Sequence, residues 1–293
     1  MLLSLVVVFV IVPMTFIKWI DFSNLVQAAG VTLNPNINDG ALVAEFEDPA
    51  GDLLRTVPGG ENFKDAAAAL DIRKFAVKKV MFHPLSGMGI EPRLNLIFHL
   101  DGVPPNPQQS KHGFSLPVFH VYIKAPGNRH QKVENEASDK TANILFAGGE
   151  WDYQVVVDGL HEQARIYDGE GNLLGRGLGL YVNYMEESVP KTEEAGTKLD
   201  VVKDKKAQPP KIKKSTRITA ALPMEILGDP SRGEWLYYVA VGLSDLRSPS
   251  LMYPPQHEGE SEIFDCVLPP GAELVKTSQG TPELPPLRVE NKK

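Results

Sequence analysis

Cysteine is almost absent. Cys266 is the single one in 293 residues, so no internal disulfide framework can staple the chain. It stands in the apolar run IFDCVLPP, where a free cysteine is expected to serve as buried packing. No His or Asn partner for a thiol nucleophile can be identified beside it. Positive charge is also short. The 30 Lys and Arg stand against 37 Asp and Glu, giving a net charge of −7. Phosphate backbones are held by Lys and Arg clusters, so this balance argues against a nucleic-acid partner. Tryptophan is scarce: beyond the N-terminal apolar segment only Trp151 and Trp235 remain. Nucleophile elbow, phosphate loop and metalloprotease helix motifs are all missing, as is any internal repeat.

One long apolar run is present, Leu2 to Ile17. It is short for a full membrane span and right for the apolar core of an export signal. Val26-Gln27-Ala28 follows as a cleavage pattern with small residues at the required positions. No Lys or Arg precedes the run; Lys18 comes after it. Residues 1–29 therefore read as a signal peptide, or, if uncut, as a membrane anchor through residues 2–20. Either reading exports the rest and places it outside the cell or at the cell envelope.

From there on, 24 Pro and 25 Gly in the chain punctuate short apolar runs, the pattern of many strands and few long helices. ALVAEFED (41–48) reads as a first strand. DIRKFAVKKVMF (71–82) reads as a long one with its basic residues facing out. RLNLIFHL (93–100) puts Leu94, Leu96, Phe98 and Leu100 on one face at period two. FSLPVFHVYIKAPG (114–127) is apolar on both faces, which predicts a central strand. WDYQVVVDG (151–159) and QARIYDGEGNLLG (163–175) form a hairpin region with GEGN as a turn. GLYVNYME (179–186), TRITAALP (216–223) and EWLYYVAVGL (234–243) add three strands, and PMEILG (223–228) is a short helix opened by Pro and closed by Gly. Residues 191–214 are dense in Lys, Glu and Pro and are expected to form a mobile surface loop. The Pro-rich tail 277–293 is expected to lack structure.

The segments DPAGD (48–52), LDIRKFAV (70–77), HGFSLPVFHVYIKAPG (112–127), EWDYQVVVDG (150–159), RIYDGEGNLLG (165–175), ITAALPMEILGDP (218–230), YYVAVGLSD (237–245) and IFDCVLPPG (263–271) occur in a familiar order. Together they resemble the C-terminal binding module of glucodextranase, a surface-layer-homology-like module also found in amylopullulanases and envelope proteins. The resemblance implies an all-β chain, an immunoglobulin-like or jelly-roll β-sandwich akin to carbohydrate-binding modules, over residues 40–276. It implies a module without chemistry of its own that holds a polysaccharide or cell-wall glycan. Two loops depart from the family: DLLRTVPGG after Asp48 has fewer acids, and DLRSPSLMYP (245–254) lacks the family's Gly-rich, Trp-containing stretch.

Sugar modules stack pyranose faces on exposed aromatics. Trp151 and Trp235 begin predicted strands and are expected in the core, which leaves Tyr181, Tyr184 and Tyr253 as candidate carbohydrate contacts. Glu47, Asp48 and Asp52, with Asp71 at the next strand's start, are candidate calcium ligands, since hard oxygens suit that ion. The alternative for the two loop aspartates is turn shaping, with each side chain bonded to its own backbone. His99 and His120 lie in consecutive predicted strands with His112 in the loop between them. They support a second reading, a haem or metal carrier of related sandwich shape. A third is a structural surface-layer or periplasmic scaffold.

Overall fold

Alternation along the chain becomes antiparallel strands in the computed structural model. It describes residues 40–49, 53, 69–82, 91–127, 145–147, 151–161, 163–189, 211–245, 248–252, 263–276 and 282–289. The segment 1–39, with the expected signal or anchor, lies outside the described residues, as do 190–210, which hold most of the expected Lys-rich loop.

A five-stranded sheet contains β1 (Ala41–Glu47), β2 (Ile72–Phe82), β3 (Glu91–Leu100), β9 (Gly179–Val189) and β10 (Lys211–Pro223), in the order β1-β2-β3-β10-β9. An eight-stranded sheet is built around β4 (Pro117–Lys124) and β11 (Trp235–Asp245). Beyond β4 run β6 (Tyr153–Asp158), β7 (Arg165–Asp168) and β8 (Leu173–Arg176); β12 (Ser248–Met252), β13 (Asp265–Cys266) and β16 (Leu287–Val289) all pair with β11. A small third sheet joins β5 (Leu145–Phe146), β14 (Val275–Lys276) and β15 (Pro282–Leu284). One helical turn, α1 (Met224–Leu227), stands between Pro223 and Gly228 as expected.

The two large sheets face each other across one core. Leu94, Leu96, Phe98 and Leu100 of β3 are each at most 1% accessible, the period-two face that the sequence shows. Opposite them lie Phe119, Val121 and Ile123 of β4 and Tyr237, Val239 and Val241 of β11. Phe98 stacks on Phe119 with centroids 4.6 Å apart, and Phe75 meets Tyr237 at 6.0 Å. These aromatic contacts bridge the sandwich and add to the apolar area removed from water.

β4 sits between β11 and β6 and is apolar on both faces because both are covered. Val118 and Tyr122 point away from the main core into a second cluster with Phe146, Trp151, Tyr238, Cys266 and Leu284. Trp235 packs in the main core and Trp151 in this second one. Cys266 is buried and free. The GEGN turn joins β7 to β8: Asp168 Oδ1 accepts from Glu170 N at 3.0 Å and Asn172 N at 2.8 Å. Gly171 takes the left-handed φ of 84° that such a turn needs.

Two boundaries differ from expectation. Lys211–Lys214 belong to β10 and pair with Val189–Glu186 of β9, since alternation on an edge hairpin holds even in a Lys-rich segment. The tail is not featureless either: Leu287 and Val289 are buried in the main core, and β16 pairs with the start of β11. Its proline and polar content masked three large apolar residues, Leu284, Leu287 and Val289. Among the described residues no helix is long and apolar enough to cross a membrane.

Candidate functional site

The larger sheet has its outer surface under the second cluster. The outward face of the five-stranded sheet is arranged differently. Register sets its side chains in three cross-strand rows. Glu45, Ala76, Ile97, Thr219 and Tyr181 form the middle row; Glu47, Lys74, His99, Arg217 and Asn183 lie on one side of it. On the other side run Leu42, Lys78, Asn95, Ala221 and Gly179. Strands about 4.8 Å apart and rows about 6.7 Å apart make this a continuous floor, polar except at Leu42, Ala76, Ile97, Gly179 and Ala221.

Tyr181 lies along β9 over Gly179. A Cβ at Gly179 would stand 2.7 Å from Tyr181 Oη and 2.9 Å from Cζ, so only glycine lets the phenol ring rest there. Beside the ring, Thr219 is 0% and Asn95 4% accessible. Thr219 Oγ1, Asn95 Oδ1 and Asn183 Nδ2 are out of water and have no hydrogen-bond partner. Each such group costs roughly 1–3 kcal/mol when it is left unmatched. Lys74 is bound to both acids of β1, at 3.1 Å from Glu45 and 3.3 Å from Glu47. Lys78, in the row with Asn95, makes no salt bridge with a described carboxylate. Burial holds the His99 imidazole below its ordinary value, helped by the charges of Arg217, Lys74 and Lys78 and opposed by Glu45.

Of the three candidate tyrosines two are described, and they face opposite sides of β9. Tyr184 is half-exposed but, three residues on from Tyr181, belongs to the opposite side of β9. Its hydroxyl packs at Gly113, in the loop before β4. Tyr253 lies outside the described residues. Of the two described tyrosines, Tyr181 stands on the polar floor.

Three of the four candidate calcium ligands are described. Glu47 turns to Lys74, while Asp48 is buried and accepts from Leu268 N at 3.2 Å through Oδ1. Asp71 is buried, its carbonyl accepting from Asp101 N at 3.4 Å. Asp52 lies outside the described residues. Among the described residues no three His, Cys, Asp or Glu side chains are grouped to hold a metal. A cavity of about 550 Å³ opens beside Asp48, bounded by Asp265 and the Leu268–Leu274 segment. Asp265 on its wall is already committed, with Oδ2 accepting from Ile72 N at 2.7 Å and Oδ1 from Cys266 N at 2.9 Å.

The histidines are further apart than their order in the sequence suggests. β3 and β4 are consecutive but belong to different sheets. His99 is on the outward face of the five-stranded sheet. His120 is buried with the second cluster's side of the other sheet, its Nδ1 3.3 Å from Tyr122 Oη and 3.0 Å from Gln154 Nε2. The two histidines are therefore on different sheets and are not brought together.

Sequence reasoning did not single out Asn95, Asn183, Arg217 or Thr219. Asn95, Asn183 and Thr219 are each a polar residue between apolar neighbours in a strand, the usual mark of an outward position, and Arg217 follows Thr216 in the same strand as Thr219. What one sequence does not show is that three strands, β3, β10 and β9, bring them into register.

A family model described as the C-terminal binding-module, SLH-like, of glucodextranase matches residues 43–262. No curated protein matches the sequence. The matched span contains β2 through β12 and β1 from residue 43 on, and therefore every residue of the polar floor except Leu42. The chain belongs to the family of SLH-like C-terminal binding modules of glucodextranase.

Proposed function

We propose that this chain is an exported, non-catalytic module that holds a polysaccharide or cell-wall glycan at the cell envelope, and that it does so on the outward face of the five-stranded sheet. The observation that carries this is Tyr181 laid over Gly179, with Thr219 across from it and Asn183 next on the same face of β9. A pyranose has an apolar face and a rim of hydroxyls. The ring of Tyr181 suits the first, and the partly exposed Asn183–Arg217 cross-strand pair suits the second. Association with the envelope is supported by the family's SLH-like character. Export is supported by the apolar run Leu2 to Ile17 and the Val26-Gln27-Ala28 pattern, whether the segment is removed or retained as an anchor.

The test is binding to dextran, starch and purified wall glycan by affinity electrophoresis or calorimetry. Tyr181→Ala should weaken binding about tenfold, a loss of about 1.4 kcal/mol, while Tyr184→Ala leaves it unchanged. Both variants should melt as the wild type does. Wild-type affinity in Tyr181→Ala would move the site elsewhere.

A further inference from the structure

We infer that β9 is a dimerisation edge, which takes β9 of a second copy of this chain as an antiparallel neighbour. The inference goes beyond the glycan reading and does not rest on it. β9 ends the five-stranded sheet, and among the described strands it pairs with β10 alone. In an antiparallel ladder every second residue turns both its N–H and its C=O away from the partner strand. No other described segment bonds to those groups of β9. A row of unpaired backbone groups is a template for a further strand. Proteins blunt such edges with short strands, Lys, Pro or bulges.

The other edges of the two large sheets carry such devices. β1 has a register shift between Leu42 and Ala44. β8 is four residues long, and its pairing with β7 shifts between Ile166 and Tyr167. β12 is five residues long, includes Pro249, and pairs with β11 through a shift between Ser244 and Asp245. β9 has none of these. Its 11 residues, Gly179–Val189, contain no Lys, Arg or Pro, and they pair with β10 along their whole length without a shift. The charge on the strand selects the partner and its direction. Glu186 and Glu187 are its only charged residues, and both lie toward its C-terminal end. Two copies side by side in parallel would set acid against acid, which destabilises a cross-strand pair. An antiparallel pair about the middle of β9 sets Glu186 of each copy opposite Val182 of the other. One two-fold axis then satisfies both open edges at once. That axis stands normal to the sheet, so the outward faces of both copies lie on the same side and the two polar floors join.

The test follows the full chain by analytical ultracentrifugation across a range of concentrations, with amide hydrogen exchange at each. A dimer should form, and alternate β9 amides should gain protection as it does. Met185→Pro and Glu186→Pro are then compared. Neighbouring residues point their amides to opposite sides of a strand, so one of the two prolines removes an N–H that faces away from β10. An edge strand tolerates proline at such a position. That variant should keep the wild-type circular dichroism spectrum while its dimer dissociates roughly tenfold more readily. The other loses a bond to β10 and should melt at a lower temperature. A chain that stays monomeric at every concentration overturns the inference. So does a dimer that persists unweakened in both variants, or one whose β9 amides exchange as fast as those of the monomer.

Discussion

Asp265 belongs to the eight-stranded sheet, and its Oδ2 reaches the amide of Ile72 in the other sheet while Oδ1 holds Cys266 N. Asp48 makes a similar reach from the end of β1 to Leu268 N. Both carboxylates act as acceptors for backbone amides that the sandwich has taken out of water. Asp265→Ala strands two such amides, and bonds to charged groups contribute about 1.5–3 kcal/mol each, so denaturant midpoints should report a loss of about 3 kcal/mol or more. Asp48→Ala should lose less, and equally with and without calcium; protection by millimolar calcium that this variant lacks would instead assign Asp48 to a metal. The acids near Asp48 were legible as special in the sequence, but their partners were not. Leu268 and Ile72 lie 220 and 193 residues away from the carboxylates they meet, and spacing says nothing about such pairs. His99 offers a second residue-level test. Its imidazole titrates below the ordinary 6.5 in the folded chain, so around and below that value the unfolded chain binds more protons. Stability therefore rises with pH across that window and is lost on acidification. Lys74, Lys78 and Arg217 steepen the loss and Glu45 eases it. His99→Gln should flatten the slope of unfolding free energy between pH 7 and 5.

Strands were read well where one face had to be buried. β3 shows its core side as Leu94, Leu96, Phe98 and Leu100, and β4 shows two apolar sides because a second cluster covers it. The segment after Lys276 was read poorly, since three short apolar positions among prolines give no periodicity to detect. Yet Leu287 pairs with Tyr237 and Val289 with Trp235, and Leu284 closes over the second cluster. Burying a Leu or Val side chain is worth about 1.5–3 kcal/mol, so these three together rival the roughly 5–15 kcal/mol net stability of a whole domain. A chain ended at Lys276 should lose most of its cooperative thermal transition by circular dichroism. If it melted within a few degrees of the full chain, β16 would have no part in the core.

On the scale of the whole molecule, composition and order were enough to indicate an all-β sandwich, and register was needed to find the face proposed to bind. Tyr181 was visible as an aromatic, but its neighbours Asn95, Thr219 and Asn183 come from three different strands. The same register has a consequence in time. β4 pairs with β11 across more than a hundred residues, and β11 is completed only by β16. Sheets built from such distant partners fold slowly, because the chain loses loop entropy before any contact repays it. During synthesis, at about 5–20 residues per second, the start of β11 must wait several seconds for Val289 to emerge. A nascent chain that is unable to close its sandwich over that interval stays open, which is the state in which a polypeptide can still be threaded across a membrane.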